Sequence, residues 1–362
     1  MIKQLKTFTL RMVAGANIAT VAVMLVLGNA DRFDPVSHSV LSCLGLAFPV
    51  FLLINLAFLF FWLIFKFRYA LIPVAGYVLA YGPVSVYMPL NIPSEVPDGD
   101  VVKVLSYNVQ SYDGSPRYDN SFDMIYEYIK RSDADIVCLQ EDIDTWRGTF
   151  AKYRQVYEYM DTTHVGDTAL NGVGIYTRYP IIRKERIEYD SRGNGSVAYY
   201  LQRGSDTLIV INNHFESNHL SLAERGMYKT MLKGEMGRDT VREESKKLLN
   251  KLSDAVCLRA PQADAVHAYI VDHVQYPIIV CGDFNDNPIS YTRRTVADGL
   301  TDCFVATGRG LGISYNLKGF FVRIDNIMCS NDLTPYNCTV DSKFDASDHY
   351  PIYCWIKMPP KR

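Results

Sequence analysis

The chain has 362 residues, 48% hydrophobic and 21% charged, with 37 basic and 39 acidic side chains and a formal net charge of −2. So much apolar content excludes a disordered chain, and the absence of a basic surplus argues against a protein whose affinity comes from neutralising nucleic-acid phosphates. Six of the bases and two of the acids lie in residues 1–90, which leaves 31 bases against 37 acids, a formal −6, for the remainder.

Residues 12–88 carry almost no charge outside two short breaks and read as a membrane module within residues 1–90. Three transmembrane helices are expected, at about 12–28, 41–65 and 70–88. The second is a run of about 25 residues, long enough to cross a bilayer with some tilt. The third contains Pro73 and Pro83, which membrane helices tolerate. The first is short and holds Asn17. With Lys3, Lys6 and Arg11 before it and Gly28-Asn29-Ala30 after it, it fits an uncleaved span or a cleaved signal peptide; the two spans that follow at once favour the former. Lys3, Lys6, Arg11, Lys66 and Arg68 mark cytoplasmic flanks, whereas the exit beyond the third span has Glu95, Asp98 and Asp100. The remainder is therefore expected on the non-cytoplasmic side, periplasmic or extracellular. Residues 91–100, with Pro93 and Pro97, form a short linker that keeps it near the membrane.

Residues 101–362 form the second expected domain, and six of its segments share one design: an apolar extended run beside a polar group of catalytic type. VVKVLSYNV runs into Asn108, ADIVCLQE into Gln140 and Glu141, and LIVINNHFES into His214. IIVCGDFNDNP presents Asp283 and Asn285, which alternation along an extended chain would place on one side. VRIDNIMCS holds Asp325, and SDHYPIYCWI sets Asp348 and His349 before a strand. Rigid strand ends are where layered α/β proteins assemble active sites. Acids, amides and two imidazoles, with no activated Ser or Cys, describe a metal-assisted hydrolase.

Between His214 and Asp283 lies a locally basic stretch, residues 221–260. It reads as an outer helix packed on a sheet, or as a mobile lid with Gly226, Gly234 and Gly237 as hinges. His219, His267 and His273 lack ligand spacing and read as surface groups. Eight cysteines show no zinc spacing. Cys138, Cys281, Cys329 and Cys354 read as buried hydrophobes, and an exported domain could oxidise a pair among Cys257, Cys303 and Cys338.

In this order, GDFND and SDHYPI, supported by LQE, NGVGIYTRYPI and RIDNI, resemble the endonuclease/exonuclease/phosphatase superfamily over Val101 to about Ile356. That superfamily includes pancreatic deoxyribonuclease, abasic-site endonucleases, neutral sphingomyelinases and inositol-polyphosphate 5-phosphatases. The resemblance implies an α/β (α+β) fold, a four-layer α/β/β/α sandwich of two mixed sheets with the site at one rim.

Residue chemistry and resemblance then assign roles. Glu141 is the expected metal ligand, since a carboxylate beyond a buried strand needs a cation or donor. Asn108 supports metal or phosphate, and Asp348 touches metal or orients the site. His349 is the expected general base, with Asp325 fixing its tautomer. Asp283 and Asn285 position the nucleophile and a phosphate oxygen. His214 resembles the histidine that contacts phosphate or assists the leaving oxygen; its acidic partner is unassigned, with Glu216 near in sequence. Tyr315 and Asn316 mark a substrate-facing loop. Oxygen-rich ligands suit Mg²⁺ or Mn²⁺. The expected function is a membrane-anchored metal-dependent phosphodiesterase acting on a lipid headgroup or small phosphoester. An exported nuclease is the alternative, since the same residues would serve DNA or RNA, and a non-catalytic membrane scaffold is disfavoured by the intact set. No protein partner is inferred.

Overall fold

A computed structural model describes residues 2–112, 120–143, 148–165, 171–221, 224, 226–227, 230, 237–317 and 320–359. Gly234 lies outside these residues. The N-terminal module consists of α1 (Ile2–Leu27), α2 (Pro35–Ser42), a 3-10 turn (Cys43–Ala47), α3 (Phe48–Phe65), α4 (Leu71–Leu79) and α5 (Tyr81–Tyr87). Two helical stretches, Gln4–Arg32 and Pro35–Phe65, are long and apolar enough to cross a membrane; the pair Phe67–Leu79 and Tyr81–Tyr87 is bent by 70° and could form a third span. Pro83 lacks an amide donor just past that break. The apolar run beginning at Leu41 does not enter one straight helix. Its first residues belong to α2 and the turn, and α3 starts at Phe48, with Pro49 in the first turn where no intrahelical donor is needed.

Asn17 sits inside the helix bundle rather than weakening it. Its side chain donates to Asn55 Oδ1 at 3.0 Å and accepts from Trp62 Nε1 at 2.9 Å, while Thr20 Oγ1 donates to the same Asn55 oxygen. All three side chains of the Asn17–Asn55–Trp62 group are fully buried. Interhelical hydrogen bonds of this kind join helices where the surroundings offer no water.

The remainder is a sandwich. One sheet has the order β13-β14-β1-β2-β4-β3, from Thr334–Val340, Ile352–Lys357, Val101–Asn108, Ile136–Gln140, Gly172–Thr177 and Tyr159–His164. The other runs β5-β6-β7-β8-β12-β9, from Ile181–Ile187, Gly195–Arg203, Asp206–His214, Ile278–Asp283, Asp325–Ser330 and Leu300–Asp302. A hairpin, β10 (Tyr315–Leu317) with β11 (Phe320–Val322), stands apart. The facing sides of the sheets pack Val104, Ile136 and Ile175 against Tyr199, Val210 and Ile279. On the outer faces, α6 (Ser121–Ser132) buries Phe122, Ile125 and Ile129, and Ala263, Val266 and Ile270 of a long helix, Arg238–Asp272, cover the second sheet. These are the four layers and two mixed sheets expected.

The connection between the two parts is bonded along its length. Asn91 donates to the carbonyls of Val305 and Gly308, and Ser94 exchanges bonds with Asn337. The buried guanidinium of Arg323 donates to the carbonyls of Val86, Tyr87 and Leu311 and stacks on Phe304. At the 3-10 turn, a Cβ on Gly45 would lie 2.1 Å from the Ile289 carbonyl, so only glycine permits this approach.

Candidate active site

Strand register brings the polar groups together. In the second sheet, parallel β7 and β8 set His214 opposite Asp283, and antiparallel β8 and β12 set Asp325 opposite Asp283. Three neighbouring strands thus carry one polar row. In the first sheet, Asn108 pairs with Gln140, and Glu141 follows with φ 54°, turning its carboxylate off the strand line. The sheets meet at Asn108, whose Nδ2 donates to Glu141 Oε1 and Asp283 Oδ2, both at 3.1 Å.

His349 enters from the segment before β14. Its Nδ1 lies 2.9 Å from Asp325 Oδ2 and its Nε2 3.6 Å from Asp283 Oδ2. Two serines fix the pair. Ser314 Oγ accepts from the Ile324 and Asp325 amides, and Ser347 Oγ donates to the Asn108 carbonyl while accepting from the His349 amide. Burial raises the Asp283 carboxyl to about 7, with Asp325 adding to the rise and His349 opposing it. Burial alone would lower the His349 pKa, but the Asp325 and Asp283 carboxylates outweigh it and hold the imidazole up at about 10. His214 is driven down to about 3 by burial and then by its charged neighbour His349, so it is neutral at ordinary pH.

Several local findings differ from a reading of the chain alone. Asn285 is not on an extended strand: its φ is 51°, and its amide N–H turns back onto Asp283 Oδ1 at 2.8 Å while its side chain donates to Asp283 Oδ2 and the Phe215 carbonyl. A Cβ on Gly282 (φ 131°) would lie 1.9 Å from the Asn213 carbonyl, which is why glycine precedes the acid. Glu216 is no partner for His214. Its carboxylate binds Ser191, the Arg192 amide and His219, and His214 Nδ1 is buried without a hydrogen-bond partner among the described residues. Asn108 accepts from the Gln110 amide through Oδ1, so a donor rather than an oxygen ligand faces the carboxylates.

His219 lines the same cavity as the catalytic-type groups instead of standing apart on the surface. Of the long helix, Arg238–Asp272, the second half packs on the sheet, whereas most residues from 238 to 251 are exposed. Arg259, buried in that helix, holds the Glu216 carbonyl, Asn218 and Asp286. All eight cysteines are free, and Cys257 Sγ lies against the Pro35 carbonyl, away from buried Cys303 and Cys338. Ser314, Ser347 and Arg259 went unassigned from the sequence. Only Ser347, adjoining Asp348-His349, had a signal there.

A cavity of about 210 Å³ joins Glu141, His214, Asp283, Asn285, Asp348 and His349. Tyr315 also lines it, packing edge-on against His349; the Asn316 side chain lies outside the described residues. A divalent cation fits the donor set. Ligand atoms of Asp283, Asp325 and His349 lie within 4.8 Å of one another, Asp325 Oδ1 is buried with no hydrogen bond among the described residues, and oxygen donors dominate.

The fold recurs in solved structures. TDP2 from C. elegans superposes with a TM-score of 0.50 at 18% identity, over 78% of this chain and 81% of that one. The human nocturnin catalytic domain with bound sulfate gives 0.50 at 16%, over 71% and 93%. A functionally unknown conserved protein from Enterococcus faecalis gives 0.50 at 14%, over 70% and 98%. No curated protein matches the chain. Residues 10–87 match the model of a domain of unknown function, DUF8431. Residues 105–349 match the Endonuclease/Exonuclease/phosphatase family, and with a sandwich of the expected layers around that match, the chain belongs to this family of phosphoric ester hydrolases.

Proposed function

We propose that the protein is a membrane-anchored, divalent-metal-dependent phosphodiesterase whose two parts are residues 1–90 and 101–362, acting on a lipid or small phosphoester outside the cytoplasm. The observation that carries the reading is the Asp325–His349 pair, aimed at Asp283 in a cavity that Glu141 and His214 also line. With a bound cation offsetting the carboxylate charge that holds the metal-free ring protonated, His349 would be neutral, and its Nε2 would take the proton of the attacking water while Asp325 holds the ring in one orientation and balances the imidazolium. His214, kept neutral by burial, serves as a hydrogen-bond donor to a phosphoryl or leaving oxygen rather than as a charged acid. Asn285 steers the substrate beside Asp283, and Asn108 holds Glu141 and Asp283 in register.

Glu141 and Asp348 would hold Mg²⁺ or Mn²⁺ beside the Asp283–Asp325–His349 group, with the Asn108 amide positioning Glu141 instead of ligating. The cation supplies positive charge against the oxyanion charge that develops at phosphorus. The basic flanks at Lys3, Lys6, Arg11, Lys66 and Arg68 support the non-cytoplasmic placement. A substrate panel tests the reading: full-length protein in detergent with Mg²⁺ is given a lipid phosphodiester, plasmid DNA and a chromogenic phosphodiester. Turnover of the lipid and chromogenic compounds is expected. Cleavage of DNA alone would replace the proposal with a nuclease.

A further inference from the structure

The catalytic-type residues form only part of the cavity lining. The same cavity is lined by Cys43 and Leu46, from the 3-10 turn between α2 and α3, with Leu220, Leu252, Val256 and Val322 from the sandwich. These apolar side chains share the lining with the carboxylate cluster and with Arg259, Asp286 and Asn287. Apolar surface so close to ionised groups costs stability in water unless something apolar covers it.

The turn is held there by design of the backbone. Gly45 is the residue whose missing side chain lets the turn seat on Ile289, and Cys257 donates to Pro35 at the start of α2. The neighbouring module also exposes apolar side chains: Leu46 is 44% exposed, and Val36 and Val40 of α2 are 66% and 48% exposed. Leu46 is thus both part-exposed on the module and part of the lining of the cavity that holds Asp283 and His349.

We infer that Leu46 of the N-terminal module and Leu252 of the long helix form a specificity wall that receives the apolar tail of an amphiphilic phosphoester, while its phosphate meets the carboxylate side. The inference rests on the phosphodiesterase reading above and deepens it. The active site is then incomplete without the module, which acts as part of the substrate site as well as an anchor. A tail with a hydrocarbon chain is the occupant the wall suits. A nucleotide, whose bases and sugar are polar at their edges, would leave the leucines uncovered.

The test compares two esters with one leaving group, methyl para-nitrophenyl phosphate and dodecyl para-nitrophenyl phosphate. Each is assayed with Mg²⁺ on the full-length protein in nanodiscs, with the dodecyl ester below its micelle concentration. The wild type is expected to prefer the dodecyl ester in kcat/KM by about tenfold or more, the scale on which apolar pockets discriminate. Leu46→Ser in the module and Leu252→Ser in the long helix are each expected to collapse that ratio mainly through KM for the dodecyl ester. Two variants guard against one failing to fold. Equal kcat/KM for both esters in the wild type, or an unchanged ratio in both variants, overturns the wall while leaving the phosphodiesterase reading intact. Hydrolysis of neither ester overturns that reading and the wall with it.

Discussion

The two parts of the molecule are built inside out relative to each other. In the sandwich, apolar side chains fill the space between layers and few large ones stand exposed, such as Ile182, Val274 and Phe321. In the module, Leu5, Phe8, Leu53, Phe60 and Ile64 face outward, while Asn17, Asn55 and Trp62 are buried. Each part contains a buried polar network in apolar surroundings, Asn17–Asn55–Trp62 in the module and the Asp283–Asp325–His349 group in the sandwich. The module's network closes on itself: amide, amide and indole find partners, and helices are joined. The sandwich's network is left open, with Asp283 pushed towards neutrality, His349 held charged, and Asp325 Oδ1 and His214 Nδ1 without hydrogen bonds among the described residues. A closed network gives cohesion. An open one gives a site that needs something from outside.

If this contrast is right, removing polar groups should have opposite consequences in the two parts. The largest effect is expected at His349. His349→Ala should lower kcat by roughly 10²–10⁴-fold, the contribution of a general base, and Asp325→Asn should show a weaker form of the same loss. Steady-state rates on the chromogenic diester check both. A near-normal rate in His349→Ala would make the open network structural only.

Arg323 tests the seam between the parts. Arg323→Ala removes the donor shared by the Val86, Tyr87 and Leu311 carbonyls, and thermal unfolding in detergent should show a loss on the order of 3 kcal/mol. An unchanged melting temperature would mean that the module and sandwich are not coupled there.

The open network should also make the metal-free protein more stable when it is defused. His349 at about 10 and Asp283 at about 7 both lie above their unfolded values of about 6.5 and 3.9. Each contributes stability that is complete below the unfolded value and lost as pH rises through the folded one. In excess chelator the melting temperature should therefore fall from about pH 4 to 7 through Asp283, and from about pH 6.5 to 10 through His349. Asp283→Asn should remove the first part of that decline and melt higher than the wild type at neutral pH, while losing activity. A flat profile would contradict the charge assignment. Added Mg²⁺ should stabilise the wild type more at higher pH, because binding a cation to this site releases protons.

The smallest effect is expected in the closed network. Asn17→Leu should cost about 0.6 kcal/mol, the average for an interhelical hydrogen bond in a membrane protein, with no change in kcat. A large loss of activity there would show that the module's network reaches the chemistry.

How far the sequence alone reaches follows the same division. Six strands of the sandwich, β1, β2, β7, β8, β12 and β14, could be read because each couples a short apolar run to a polar group, and the family motifs gave their order. Asp283, Asp325 and His349 were singled out for that reason, and the structure brings them together. Cross-strand neighbours were not readable, since register depends on partners distant in the chain: that His214 stands opposite Asp283 appears only in the sheet. Asn285 was misplaced because a left-handed residue breaks the alternation on which the reading relied. Within the module, apolar content announced helices but hid the turn at Cys43–Ala47, where nothing distinguishes a docking leucine from a lipid-facing one. Asn17 looked like a defect because its partners, Asn55 and Trp62, lie in another helix.

The central claim, that the open network is completed by a divalent cation to hydrolyse a phosphodiester, has one direct measurement. Full-length protein in nanodiscs is stripped with excess chelator, assayed on a chromogenic phosphodiester, and assayed again after Mg²⁺ or Mn²⁺ is returned. The account predicts no turnover above background in chelator and recovery with either cation. Undiminished turnover after exhaustive chelation would contradict it.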